Sequence, residues 1–264
     1  MAEIDKIFIV NKEFNKDKKS FIKKLSKDIE KIKGIGFAGY NKREDLEKNL
    51  EWQVFDGQLS DKGFSFNEEK IKKLVKETLN KCFKEINKEL FVFVFPSYNN
   101  FTNENMGGVG GNSPKHLVML IFVNTFIKNW EKSLKETICH EFTHAVSSYY
   151  NLWENTIGEG IVLDGVAENF QEDVLKGGKS IFSGILTEGE CEKILLEIIP
   201  KLDSTDQEEY NKLFYGGGKY KHWAGYSLGY WLVKKYLKTL KKVNWESIIN
   251  TNPNEILLEI KKTL

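Results

Sequence analysis

The stretch "TICHEFTHAV", residues 137–146, holds two of the chain's four histidines, with a glutamate directly after the first. On an α-helix, residues four apart differ by about 40° and lie one turn apart on one face. His140 and His144 can therefore aim their imidazoles at one point. Glu141 sits about 100° round from His140, near enough to reach a water on a shared metal ion without ligating the ion itself. This is why H-E-x-x-H on a helix works as a zinc site with its own general base. Leu134, Ile138, Phe142 and Ala145 form an apolar stripe roughly opposite the histidines, so one side of this helix is expected to pack on a sheet while the other opens on a cleft.

Outward from that helix, strand signals are few and short. "KIFIV" (6–10), "EWQVF" (51–55), "LFVFVF" (90–95) and "HLVMLIFV" (116–123) are rich in branched and aromatic residues. Helical periodicity covers most of the rest, with Phe21, Leu25, Ile29 and Ile32 on one apolar face and Ile71, Val75, Leu79, Cys82, Ile86 and Leu90 on another. "NENMGGVGGNSPKH" (103–116), with four glycines and a proline, reads as a loop. No Lys-Ser/Thr helix follows it and it lacks dinucleotide spacing, so a phosphate cradle is not expected. From about residue 130 onward the pattern is nearly all helical. The expected fold class is α+β, a small twisted sheet packed on the histidine-bearing helix and followed by a mainly helical C-terminal part. No repeat, low-complexity segment or clear linker interrupts the chain. A single composite domain over 1–264 is expected, with an N-terminal α/β part (1–100) and a second part (101–264) that carries the chemistry.

Thirty-nine basic against thirty-eight acidic side chains give no support for a nucleic-acid partner. Three cysteines without CxxC spacing argue against a disulfide framework and for a reducing compartment. The N-terminal stretch has no signal-peptide pattern, and no apolar run approaches the roughly 18 residues of a membrane span. A cytoplasmic location without membrane association is expected.

Catalytic zinc sites usually take three protein ligands and leave a fourth position open. His116 and His222 show no ligand spacing relative to the helix. Downstream, however, lies "NTIGEGIVLDGVAENFQEDVL" (155–175), in which Asp164 and Glu168 are four apart on an expected helix and share a face. Gly158, Gly160 and Gly165 would let that helix approach closely. Asp164 follows His144 by twenty positions (164 − 144), room for one reversal between two helices.

"HEFTHAV" (140–146), "TIGEGIVLDGVAENF" (156–170) and "WAGYSLGYWLVKKYL" (223–237) together resemble the gluzincin clan of metallopeptidases. More narrowly they resemble the predicted zinc-dependent protease family DUF2268, the YjaZ-like proteins. The resemblance runs over about residues 115 to 238, and the first hundred residues take no part in it. It implies a zincin-like fold in 101–264, metal ligands at His140 and His144, and a general base at Glu141. The family's third-ligand position falls on Asp164. Glu168 falls where an acid would hold a ligand histidine by its other ring nitrogen. The family pattern has glutamate where this chain has aspartate, which is shorter by about 1.5 Å, one C–C bond. Asp164 is preferred as third ligand, with Glu168 and Glu159 as alternatives.

The expected activity is that of a zinc metallopeptidase, a hydrolase that cuts peptide bonds through a metal-activated water with Glu141 as base. The oxyanion that develops needs a further donor. "KYKHWAGYSLGYW" (219–231) offers Tyr226, with His222 as an alternative and Tyr230 read as core. The partner would be a peptide or protein substrate, its backbone held by an exposed strand, for which "HLVMLIFV" is the candidate. The alternative is a non-catalytic binding protein that keeps the metal helix as a clamp. A third reading, hydrolysis of a non-peptide amide, would use the same machinery.

Overall fold

"FVFVF" and "VMLIFV" have no polar residue to turn outward, which suits parallel strands covered on both faces. In the computed structural model, which describes residues 6–10, 17–32, 37–38, 40–55, 66–151 and 154–263, they form β2 (Phe91–Pro96) and β4 (Val118–Val123). The two run parallel in register from Phe91↔Val118 to Pro96↔Val123. β1 (Ile7–Ile9) adds in parallel to β2, and β3 (Val109–Lys115) adds antiparallel to β4. The sheet order is β1-β2-β4-β3, so the chain is α+β with a small mixed four-stranded sheet. Helices make up most of the rest. The chain divides into two compact units, Met1–Ala145 and Val146–Leu264.

In the first unit, α1 (Lys18–Glu30) and α2 (Arg43–Phe55) cover one face of the sheet. Phe21, Leu25, Ile29, Leu46, Leu50 and Val54 pack there with Phe93, Phe95, Leu120 and Phe122 of the strands. The other face meets α5 (Trp130–Val146), whose stripe of Leu134, Ile138, Phe142 and Ala145 is fully buried. α3 (Glu68–Glu85) packs beside α5, with the Phe83 and Phe142 rings edge to face at 5.9 Å and the Cys82 and Cys139 sulfurs 3.6 Å apart. A short helix, α4 (Asn100–Asn105), precedes β3. The Leu117 N–H donates to the Ala145 carbonyl at 2.7 Å and ties the β3–β4 turn to the end of α5.

Three local expectations change. Residues 51–55 end helix α2 instead of forming a strand. Leu46, Leu50 and Val54 are spaced by four and already make a helical stripe that continues into that segment. The glycine-rich stretch expected as a loop is strand β3 over Val109–Lys115. Its glycines serve close packing: a Cβ on Gly111 would stand 2.8 Å from Thr137 Cγ2 of α5. "HLVMLIFV", the candidate edge strand, is instead the buried β4 between β2 and β3, and among the described residues β3 lies at the sheet's edge.

Among the described residues of the second unit the regular elements are helices, with one isolated bridge between Gly217 and Tyr220. α6 (Ile157–Leu175) begins with a capping box: the Thr156 hydroxyl accepts from the Glu159 N–H, and the Glu159 carboxylate accepts from the Thr156 N–H at 2.9 Å. α7 (Glu188–Ile198), a 3₁₀ turn (Ile199–Lys201), α8 (Gln207–Tyr215), α9 (Ala224–Thr239), α10 (Trp245–Ile249) and α11 (Pro253–Thr263) follow. α6 and α9 cross backbone to backbone, since a Cβ on Gly165 would lie 2.5 Å from the Gly229 carbonyl carbon. With its neighbours that close, α6 is buried on nearly every side. No described helix is long and apolar enough to cross a membrane.

Candidate metal centre

The helical spacing of four does locally what the sequence requires of it. His140 and His144 project from α5 with their Nε2 atoms 3.0 Å apart and their rings nearly perpendicular, at 83°. Two nitrogens sharing a tetrahedral zinc at about 2.0–2.1 Å would stand roughly 3.3–3.4 Å apart, so the pair is set at a separation one ion can span. His144 is buried and His140 half-buried. The Thr143 hydroxyl donates to the His140 carbonyl at 2.8 Å, inside the same turn.

Glu141, 7% exposed, leaves α5 toward β3. The Ser113 hydroxyl of β3 lies 2.9 Å from Glu141 Oε2 and 2.9 Å from the Glu141 carbonyl oxygen. A Cβ on Gly111 would stand 2.7 Å from Glu141 Cγ, so the glutamate side chain lies flat against the strand backbone. Gly111 and Ser113 are two apart on β3 and so share the face that meets α5.

On α6, Asp164 and Glu168 are both buried. The Ser180 hydroxyl donates to Glu168 Oε2, and Ser180 itself accepts from the Phe182 and Ser183 N–H groups at 3.1 and 3.2 Å. Glu159 is occupied elsewhere: besides its capping bond it accepts from the Asn254 amide at 3.0 Å. Asp164's charge is felt at two tyrosines. Burial, with the Asp164 carboxylate adding, pushes the Tyr210 hydroxyl well above its ordinary range. Tyr226 is pushed well up as well, first by burial, then by Tyr215 and Asp164. Tyr210 stacks on Phe214 at 4.1 Å and closes on Gly160, where a Cβ would stand 2.7 Å from its ring. Tyr226 packs among Phe182, Phe214 and Trp223. The Tyr230 hydroxyl donates to Glu172 at 2.9 Å, a structural bond that suits the core role expected for it. His222 lies on the Trp223 ring at 4.2 Å, and burial lowers its pKa. His116 is exposed in the β3–β4 turn.

Within the first unit, His140 and His144 present two imidazole nitrogens that one metal ion could share; in the second, Asp164 is a buried carboxylate. Imidazole nitrogens and carboxylate oxygens are donor types that suit zinc. Ser113, Gly111 and Tyr210 were not singled out by sequence reasoning. The alternation of β3 would have pointed to the first two had the stretch been read as a strand. Tyr210 carries no local signal.

The chain matches the family model described as a predicted Zn-dependent protease (DUF2268) over residues 69–258, more than half of its length. No curated protein and no solved structure matches it.

Proposed function

This chain belongs to the DUF2268 family of predicted Zn-dependent proteases, and from that premise we propose that it is a zinc metallopeptidase of the H-E-x-x-H type with a zincin-like catalytic part. The observation that carries the reading is the convergence of the His140 and His144 Nε2 atoms beside a glutamate held in place by a neighbouring strand. A structural metal site has no use for such a base. We assign His140, His144 and Asp164 as the ligands, with Asp164 preferred to Glu168 and Glu159. The Glu159 carboxylate already caps α6, and Glu168 already takes the Ser180 hydroxyl.

Zinc bound there would polarise the scissile carbonyl and lower the pKa of a water towards neutrality. Glu141 takes the proton of the attacking water and passes it to the leaving amine nitrogen, so that no free base or acid is needed at neutral pH. Burial of Glu141 and His144 keeps bulk water from competing for that proton. Tyr226 is assigned as donor to the oxyanion that develops on the substrate, supported by the Asp164 charge felt at its hydroxyl. The substrate is a peptide, and β3, at the edge of the sheet and touching Glu141, is the strand proposed to pair with its backbone. Three buried free thiols support a reducing, cytoplasmic setting.

Metal analysis of the purified protein should find about one zinc per chain, and His144→Ala should abolish it. Glu141→Gln should keep the zinc and lose hydrolysis of a mixed peptide library. Equal behaviour of wild type and Glu141→Gln on every peptide would overturn the peptidase reading in favour of a metal-holding binding protein.

A further inference from the structure

We infer that Ser113 is a positioning residue for the general base: its hydroxyl fixes Glu141 Oε2 and leaves Oε1 as the oxygen that takes the proton. The inference rests on the peptidase reading above. A glutamate has three side-chain torsions, and one that is free to turn spends most of its time out of line with the proton it must remove. Here both ends of Glu141 are gripped from β3. The Ser113 hydroxyl oxygen stands 2.9 Å from both the residue's own carbonyl oxygen and Oε2; its one proton is shared between two acceptors, of which the charged carboxylate is the stronger. Gly111 supplies the other wall, its bare Cα admitting Glu141 Cγ where a Cβ would stand 2.7 Å away. Ser113 is 3% exposed, so the bond does not compete with bulk water. The Ser113 hydroxyl hydrogen-bonds to Glu141 alone among the described residues, and the described residues make no hydrogen bond to Oε1. Tying β3 to α5 needs only the bond to the helix carbonyl. The bond to Oε2 is what a positioning role requires.

The experiment compares wild type, Ser113→Ala, Ser113→Thr and Glu141→Gln by zinc content, by kcat and KM on a quenched-fluorescent peptide library, and by crystal structures of the zinc-loaded proteins. Ser113→Ala should keep its zinc and KM, lose about 10–100-fold in kcat, and show Glu141 in more than one rotamer. Ser113→Thr, which keeps the hydroxyl, should restore a single Glu141 rotamer and most of the lost kcat. Should the alanine variant fail to fold, Ser113→Cys keeps the volume while replacing the donor by a weak one and should show the same split. An unmoved Glu141 in Ser113→Ala, or a wild-type kcat, would reduce Ser113 to a strand-to-helix tie and overturn the inference. If wild type and Glu141→Gln hydrolyse alike, the peptidase reading fails by itself. The crystal structures then still decide whether Ser113 holds the carboxylate.

Discussion

Aspartate at position 164 sets a demand on its helix, since a shorter arm reaches a metal only from a closer backbone. Three acids of α6 are therefore separable by substitution. Asp164→Ala should remove stoichiometric zinc, and titration against a competing chelator would show it. Glu168→Gln should keep the ion but lose about 10–100-fold in affinity or activity, as expected of a group that acts through another. Glu159→Gln should leave zinc binding intact and cost about 1 kcal/mol of stability by loosening the α6 cap, read by urea denaturation. Zinc loss with Glu168→Gln and not with Asp164→Ala would reassign the ligand. The placement of His140, Glu141 and His144 on one helix was legible because helical spacing is a local property and needs no knowledge of the fold. Ser113 was not, since it stands 28 positions before Glu141 in a stretch whose composition hides its conformation. Tyr210 meets Gly160 across fifty positions (210 − 160), and only packing brings them together.

Among the elements, the crossing of α6 and α9 is the tightest described contact. A methyl on Gly229 would stand 3.0 Å from the Gly165 N and press on the Ile161 carbonyl, backbone atoms that have no rotamer to yield. Gly229→Ala should therefore destabilise the protein by about 1–3 kcal/mol or more, seen as a lower denaturation midpoint with an unchanged slope. Gly189→Ala, where a Cβ meets nothing within 4 Å, is the control and should change little. The glycines of α6 were readable as permission for close approach, although not which partner would take it. β1, β2, β4 and the helix stripes followed from apolar period and run length. β3 escaped because glycine, asparagine and proline lower strand propensity, and tertiary packing against α5 and β4 overrides that weak preference. The segment at 51–55 was misread because branched and aromatic content was weighed above the i, i+4 spacing that precedes it.

For the molecule as a whole, a ligand that binds only the folded chain must raise its stability. Zinc at 100 times its Kd should add about 2.7 kcal/mol. At about 2–4 °C per kcal/mol this is a rise in Tm of roughly 5–10 °C, which a chelator should reverse and His144→Ala should lack. A Tm indifferent to zinc in the wild type would count against the metal centre. No proline- or glycine-rich linker in the sequence marks the boundary at residue 145. The three thiols give a way to see that division in solution. Cys82 and Cys139 lie in the first unit and Cys191 in the second, all buried. Burial pushes Cys82 well above the ordinary thiol range and Cys191 up to about 11. Since only thiolate reacts with an alkylating reagent, the native chain should resist iodoacetamide, and each cysteine becomes a clock for the opening of its own surroundings. Peptide-resolved mass spectrometry across a urea series would then time the two halves separately. Coincident labelling curves would mean that they open as one cooperative body, and staggered curves would mean that one half survives the loss of the other.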